Sequence, residues 1–187
     1  MSDHTPFSSA QSPVSLFQST RFDLTSTVNG RTYRIFVFKP SVEPPASGYP
    51  VVTLLDANLT FPIAATMGAT FVLEGRPALV IGIGYPTDDR SEHTRLRRRD
   101  LTPPTPPSGI RRDPGQPVPK PEDYGGSQEF YRFVIEELRP LIASMFQVNL
   151  EDHTLYGHSL GGLFALGVLF DHPGSFRNFI ASSPSIY

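Results

Sequence analysis

One stretch limits what this chain can become more than any other: Leu155-Tyr156-Gly157-His158-Ser159-Leu160-Gly161-Gly162. It sets Gly-x-Ser-x-Gly between Thr154-Leu155-Tyr156, which reads as a strand, and residues 160–170, which are apolar almost all round and read as a helix beneath a sheet. A strand that turns sharply into a helix at a serine strains that residue's backbone and lifts Oγ over the sheet edge. Residues two before and two after then come too close for a Cβ, so glycine suits positions 157 and 161. The Leu160 N–H opens the helix and can point at a developing oxyanion. A serine that merely caps a helix is the competing reading. The strand before it and the apolar helix after it favour a nucleophile elbow at Ser159, with Gly157, His158 and Gly161 as its other positions.

The rest of the chain reads as layers around that elbow. Residues 22–28 and 31–38 are two β runs joined by Asn29-Gly30, a strong hairpin signal. Residues 51–55 form a short continuous apolar run, as a strand buried on both faces does. A small-residue helix pattern follows to about Leu73, and residues 78–83 are another buried strand. Strand, helix, strand at this spacing is a βαβ unit and implies a parallel sheet. Residues 88–99 are charged with both signs and read as irregular. Residues 101–126 hold eight prolines between Pro103 and Pro121 and read as a long surface loop. Helical spacing returns over 127–146, with Ser127 as a cap and a kink at Pro140. The elbow strand and helix come next, then a strand at 178–182. The fold class is α/β: an antiparallel hairpin, then a parallel sheet with flanking helices, in one domain over 19–187 behind a flexible polar tail at 1–18.

Bulk properties narrow the function. A net charge of −2 across 187 residues gives no support for nucleic-acid or membrane-surface binding. No apolar run reaches transmembrane length, and no signal peptide is visible at the N-terminus, which makes cytoplasm the default. Zero cysteines exclude disulfides, thiol catalysis and thiolate metal sites. No His/Asp/Glu cluster has metal-ligand spacing.

Four stretches, VTLLDAN (52–58), RRRDLTP (97–103), GGSQEFYRFVIEELRPLI (125–142) and YGHSLGG (156–162) with SSPS (182–185), carry a resemblance. The chain resembles the bacterial esterase branch of the α/β hydrolases, in particular the siderophore esterases that open enterobactin-like and salmochelin-like trilactones. The resemblance covers most of residues 20–187 and implies an α/β-hydrolase core up to its sixth strand. It makes Ser159 the nucleophile and the backbone N–H groups of Leu160 and Asn58 the oxyanion hole. Relatives usually have glycine where Ala57 stands. Arg97 and Arg99 become candidates for holding an anionic small-molecule ester, since a ferric tris-catecholate is strongly anionic and arginine suits that role. Iron would belong to the substrate, and no metal or organic cofactor is implied. Other branches of the family hydrolyse S-formylglutathione or acyl-sugar esters.

A serine needs an adjacent base. In this fold the chain order is Ser, acid, His. Only 28 residues follow Ser159, and they hold Asp171 and His172 alone. Those lie about twelve residues along the elbow helix, roughly 18 Å away. His172 suits the helix C-terminus, with Gly174 as a stop signal. His158 points away from an elbow and suits packing, His153 lies at the opposite edge, His93 is in the charged segment and His4 is in the tail. The expectation is a hydrolase truncated before its last strands, without its acid and histidine, marginally stable and essentially inactive. A non-catalytic hydrolase-like binding module, with the Pro-rich 103–121 segment as a recognition element, is the alternative.

Overall fold

A computed structural model describes residues 15–16, 18–104 and 120–186. His4, nearly all of the expected tail and the centre of the Pro-rich loop lie outside the described residues.

Six strands form one mixed sheet in the order β1-β2-β4-β3-β5-β6. β1 (Ser19–Thr25) and β2 (Thr32–Phe38) are antiparallel, and β2 pairs antiparallel with β4 (Leu79–Gly84). β3 (Tyr49–Leu54) runs parallel to β4 on one side and to β5 (Val148–His158) on the other, and β6 (Asn178–Ser182) is parallel to β5. This is the expected hairpin followed by a parallel sheet. The β1–β2 connection is longer than a two-residue Asn-Gly turn. Ser26 N donates to Arg31 O, Gly30 N donates to Ser26 O, and Asn29 Oδ1 accepts from Arg31 N. Gly30, at φ 70°, supplies the left-handed step, so Asn29-Gly30 lies within a six-residue loop over 26–31.

α1 (Ala57–Leu73) covers one face of the sheet, where Phe38, Leu54, Phe61 and Val80 pack together. The larger core lies on the other face. There Tyr33, Ile35 and Ile83 meet α3 (Ser127–Arg132), α4 (Arg139–Met145) and α5 (Leu160–Asp171). Between α3 and α4 the helix widens into a π-helical stretch, Phe133–Leu138. Pro140 offers no N–H and crowds the carbonyl four residues back, which accounts for a distortion just ahead of it. Gly126, not Ser127, is the N-cap of α3, and no side chain caps that end.

The charged segment is where the sequence reading needs correction. Residues Arg90–Leu101 form a helix, α2, not an irregular stretch. Asp89 caps it by accepting from Glu92 N at 2.8 Å, and Arg98 and Arg99 in the last turn complement the helix dipole. Thr102 Oγ1 donates to Arg98 O, and Pro103 ends the helix. Leu101 is fully buried, which anchors α2 to the core.

The face beside α1 is incompletely covered. Val52, Leu54, Met67, Phe71, Tyr156 and Ile180 line an open apolar cavity of about 270 Å³. β6 is a sheet edge among the described residues, with Ile180 half exposed. Among the described residues no helix is long and apolar enough to cross a membrane.

Candidate active site

β3 and β5 are neighbours and parallel, with Leu54 opposite Tyr156, so α1 and α5 start side by side at the same sheet edge. This convergence builds the site. Ser159 sits at the β5–α5 junction with φ 57° and ψ −117°, a left-handed conformation costly for any residue with a side chain. Its side chain makes no helix-capping bond, which removes the reading of Ser159 as a simple cap.

Glycine is required at one flank and not at the other. A Cβ on Gly157 would lie 2.1 Å from the Gly161 carbonyl oxygen, a backbone atom that cannot give way. A Cβ on Gly161 would meet Asp56 Oδ2 at 3.4 Å, an ordinary contact. Gly162 is the second tight position, where a Cβ would fall 3.0 Å from Pro184 Cα. The expectation of symmetric glycines around Ser159 therefore holds at 157, while the close approach on the helix side belongs to 162.

The last residue of β6 and the strap after it hold the elbow. Ser159 N donates to Ser182 O (3.0 Å), Ser185 N donates to Ser159 O (3.1 Å), and the Ser159 and Ser185 hydroxyls lie 3.1 Å apart. Nothing in the sequence reading singled out Ser185. Its signal was present in the SSPS stretch, without a reason to assign it a role.

The N-terminus of α1 is clamped twice. Asp56, its N-cap, is itself left-handed at φ 57°, and its carboxylate takes a two-point contact from Arg97 of α2: Nε to Oδ1 at 2.7 Å and Nη2 to Oδ2 at 2.8 Å. The Asn58 amide copies a β-ladder rung on Tyr85, with Nδ2 donating to Tyr85 O (2.8 Å) and Oδ1 accepting from Tyr85 N (2.7 Å). Gly84 makes room for it, since a Cβ there would lie 2.3 Å from Asn58 Oδ1. Asn58 and Leu160 both lie in the first turn of a helix, where N–H groups have no intrahelical acceptor.

Behind this clamp is a buried polar cluster. The Tyr85 hydroxyl donates to Asp100 Oδ2 at 3.2 Å, and Arg31 pairs with Asp100 Oδ1. Asp100 is fully buried, and burial raises its carboxyl to about 6 in spite of Arg31 and the tyrosine hydroxyls. Tyr85 is pushed well above the usual phenol range by the same burial.

The arginines and histidines have definite surroundings. Arg97 is engaged by Asp56. Arg99 donates to Tyr124 O and approaches Glu129 at 3.7 Å. His93 packs edge-on to Tyr85 at 5.4 Å, with Nε2 buried and without a hydrogen-bond partner, and burial lowers its pKa although Asp56 opposes the shift. His153 is buried within β5, and desolvation takes it down to about 4. His172 ends α5 and stacks on Tyr131 at 4.1 Å, while Asp171 accepts from Gln128 Nε2. His158 is exposed at the end of β5 and does not serve in packing. Among the described residues, no histidine or carboxylate is hydrogen-bonded to the Ser159 hydroxyl, and none form a metal-binding cluster.

Comparison with known proteins agrees with this architecture. A family model described as "Putative esterase" matches residues 26–187. The ferri-bacillibactin esterase BesA of Bacillus subtilis is 42% identical over 173 residues, covering 88% of this chain and 57% of that protein. The siderophore triacetylfusarinine C esterase of Aspergillus fumigatus is 38% identical over 142 residues, covering 74% of this chain and 44% of that protein. Among solved structures, the BES protein of Bacillus cereus superposes with a TM-score of 0.81 at 34% identity, covering 95% of this chain and 67% of that one. The chain spans about half the length of the curated relatives it matches.

Proposed function

The chain belongs to the esterase family of α/β hydrolases, and from that premise we propose that it carries the nucleophile and oxyanion hole of a serine esterase acting on siderophore esters. The observation that carries this reading is the strained Ser159 backbone at the strand-to-helix turn, held so that its hydroxyl caps nothing. Ser159 Oγ attacks an ester carbonyl, and the developing negative charge falls to the N–H groups of Leu160 and Asn58. The alcohol departs, leaving an acyl-enzyme that water hydrolyses. Oxyanion donors of this kind each contribute about 100- to 1,000-fold in rate.

The relatives' names point to iron-carrying ligands: a ferri-bacillibactin esterase and a fungal siderophore esterase. An anionic ester of that class would compete with Asp56 for Arg97 and with Glu129 for Arg99, which makes these two arginines the proposed substrate cations. The general base is assigned to no described residue, since none meets Ser159.

Chromatography of the products tests the reading. With imidazole as added base, the protein should hydrolyse a catecholate trilactone in preference to S-formylglutathione or an acyl sugar, and Ser159→Ala should abolish the reaction. Tight trilactone binding without Ser159-dependent hydrolysis would instead favour the non-catalytic module.

A further inference from the structure

The short segment that follows β6 does more than end a strand. Ser183 takes a left-handed φ of 41°, which reverses the chain and returns Ser185 onto the elbow. Ser185 then meets the elbow at two points: its N–H donates to Ser159 O at 3.1 Å and the two hydroxyls lie 3.1 Å apart, while Ser182, the last residue of β6, accepts from Ser159 N. A serine in a turn ordinarily spends its hydroxyl on the backbone of its own turn. Ser185 meets the Ser159 hydroxyl, 26 residues away in sequence.

We propose that Ser185 is a positioning residue for Ser159: its hydroxyl donates to Ser159 Oγ and holds that oxygen in a single rotamer for attack. Three features carry this. The elbow backbone is strained, so the Ser159 side chain starts from a fixed platform whose remaining freedom is rotation about χ1. The Ser185 backbone N–H is fixed to Ser159 O at 3.1 Å, so the partner hydroxyl is tethered. Donation from Ser185 leaves the proton of Ser159 available to a base, and gives Oγ a donor as negative charge gathers on it. No proton is transferred to or from Ser185. A residue that fixes the attacking oxygen acts on the chemical step, since a misplaced nucleophile costs rate more than binding.

This inference rests on the proposed role of Ser159 as nucleophile, and its test separates the two. The three-bond Hα–Hβ couplings of Ser159, measured by NMR on the labelled chain, report χ1 directly and need no catalysis. The parent should show one rotamer, Ser185→Ala should show rotamer averaging with an unchanged melt, and Ser185→Thr should restore the single rotamer. Averaging already present in the parent, or a single rotamer retained in Ser185→Ala, would overturn the proposal. In hydrolysis assays, Ser185→Ala should lower kcat about tenfold with KM unchanged, and a kcat within twofold of the parent would also overturn it. If the couplings behave as stated while Ser159→Ala hydrolyses esters as fast as the parent, the esterase reading fails and the positioning of Ser159 by Ser185 stands.

Discussion

The two glycines that flank Ser159, Gly157 in β5 and Gly161 in α5, respond to different physics. At Gly157 an added methyl would be driven into the Gly161 carbonyl at 2.1 Å, whereas at Gly161 it would rest on the Asp56 carboxylate at 3.4 Å. Gly157→Ala should therefore cost about 3 kcal/mol or prevent folding, because backbone must move, while Gly161→Ala should cost under about 1 kcal/mol; thermal melts of the two variants check this. Asp100 gives a pH signature at the same scale. Burial raises its carboxyl from 3.8 in the free residue to about 6. A group whose folded pKa is raised contributes stability that is complete below about pH 4 and is lost as pH rises through 6. Between pH 7 and 5 the parent should gain stability relative to Asp100→Asn, by about 1 kcal/mol. A parallel pH dependence in the two proteins would show that Asp100 titrates normally.

Two helix starts meet at one sheet edge, and what fixes them decides the site. α5 is set by the elbow and by the strap after β6, α1 by the Arg97–Asp56 contact and by the Asn58 amide against Tyr85. Asn58→Ala keeps the proposed oxyanion N–H but removes its tether, so kcat should fall about tenfold with little change in KM. Asn58→Asp should fare no better, since a carboxylate cannot donate to Tyr85 O. Ester turnover of both variants measures this. The elements that position Ser159 were legible in sequence, because Gly-x-Ser-x-Gly combines a strict steric demand with opposite periodicities on either side. α2 was obscured by its run of arginines, although Asp89 followed by Glu92 three residues on is the cap that starts it. The Asn58–Tyr85 and Ser159–Ser185 pairs join residues 27 and 26 apart through side-chain geometry, which no local pattern encodes.

At the scale of the whole molecule the sheet is unevenly dressed: among the described residues α2, α3, α4 and α5 contribute to the core on one face, α1 alone covers the other, and β6 leaves an edge with Ile180 half exposed. Phe170, at 77% exposure, and Ile63, at 71%, add apolar surface on opposite sides. Such surface marks contact sites or aggregation. The 187-residue chain should accordingly bind a hydrophobic dye and self-associate as its concentration rises, which light scattering would detect. The same uneven build bears on the proposed chemistry, since the strained Ser159 and the two helix starts proposed as oxyanion donors converge at one sheet edge while no described base reaches Ser159. A general base is worth about 100- to 10,000-fold, so a small diffusible base should recover part of that rate. The decisive measurement is the rate of fluorophosphonate labelling with and without imidazole, followed by peptide mapping, on the 187-residue chain and on Ser159→Ala. The expected result is a single adduct at Ser159 that forms faster with imidazole and is absent from the variant. An adduct on another residue, one that persists in Ser159→Ala, or none at high imidazole on a cooperatively folded chain would contradict Ser159 as the nucleophile.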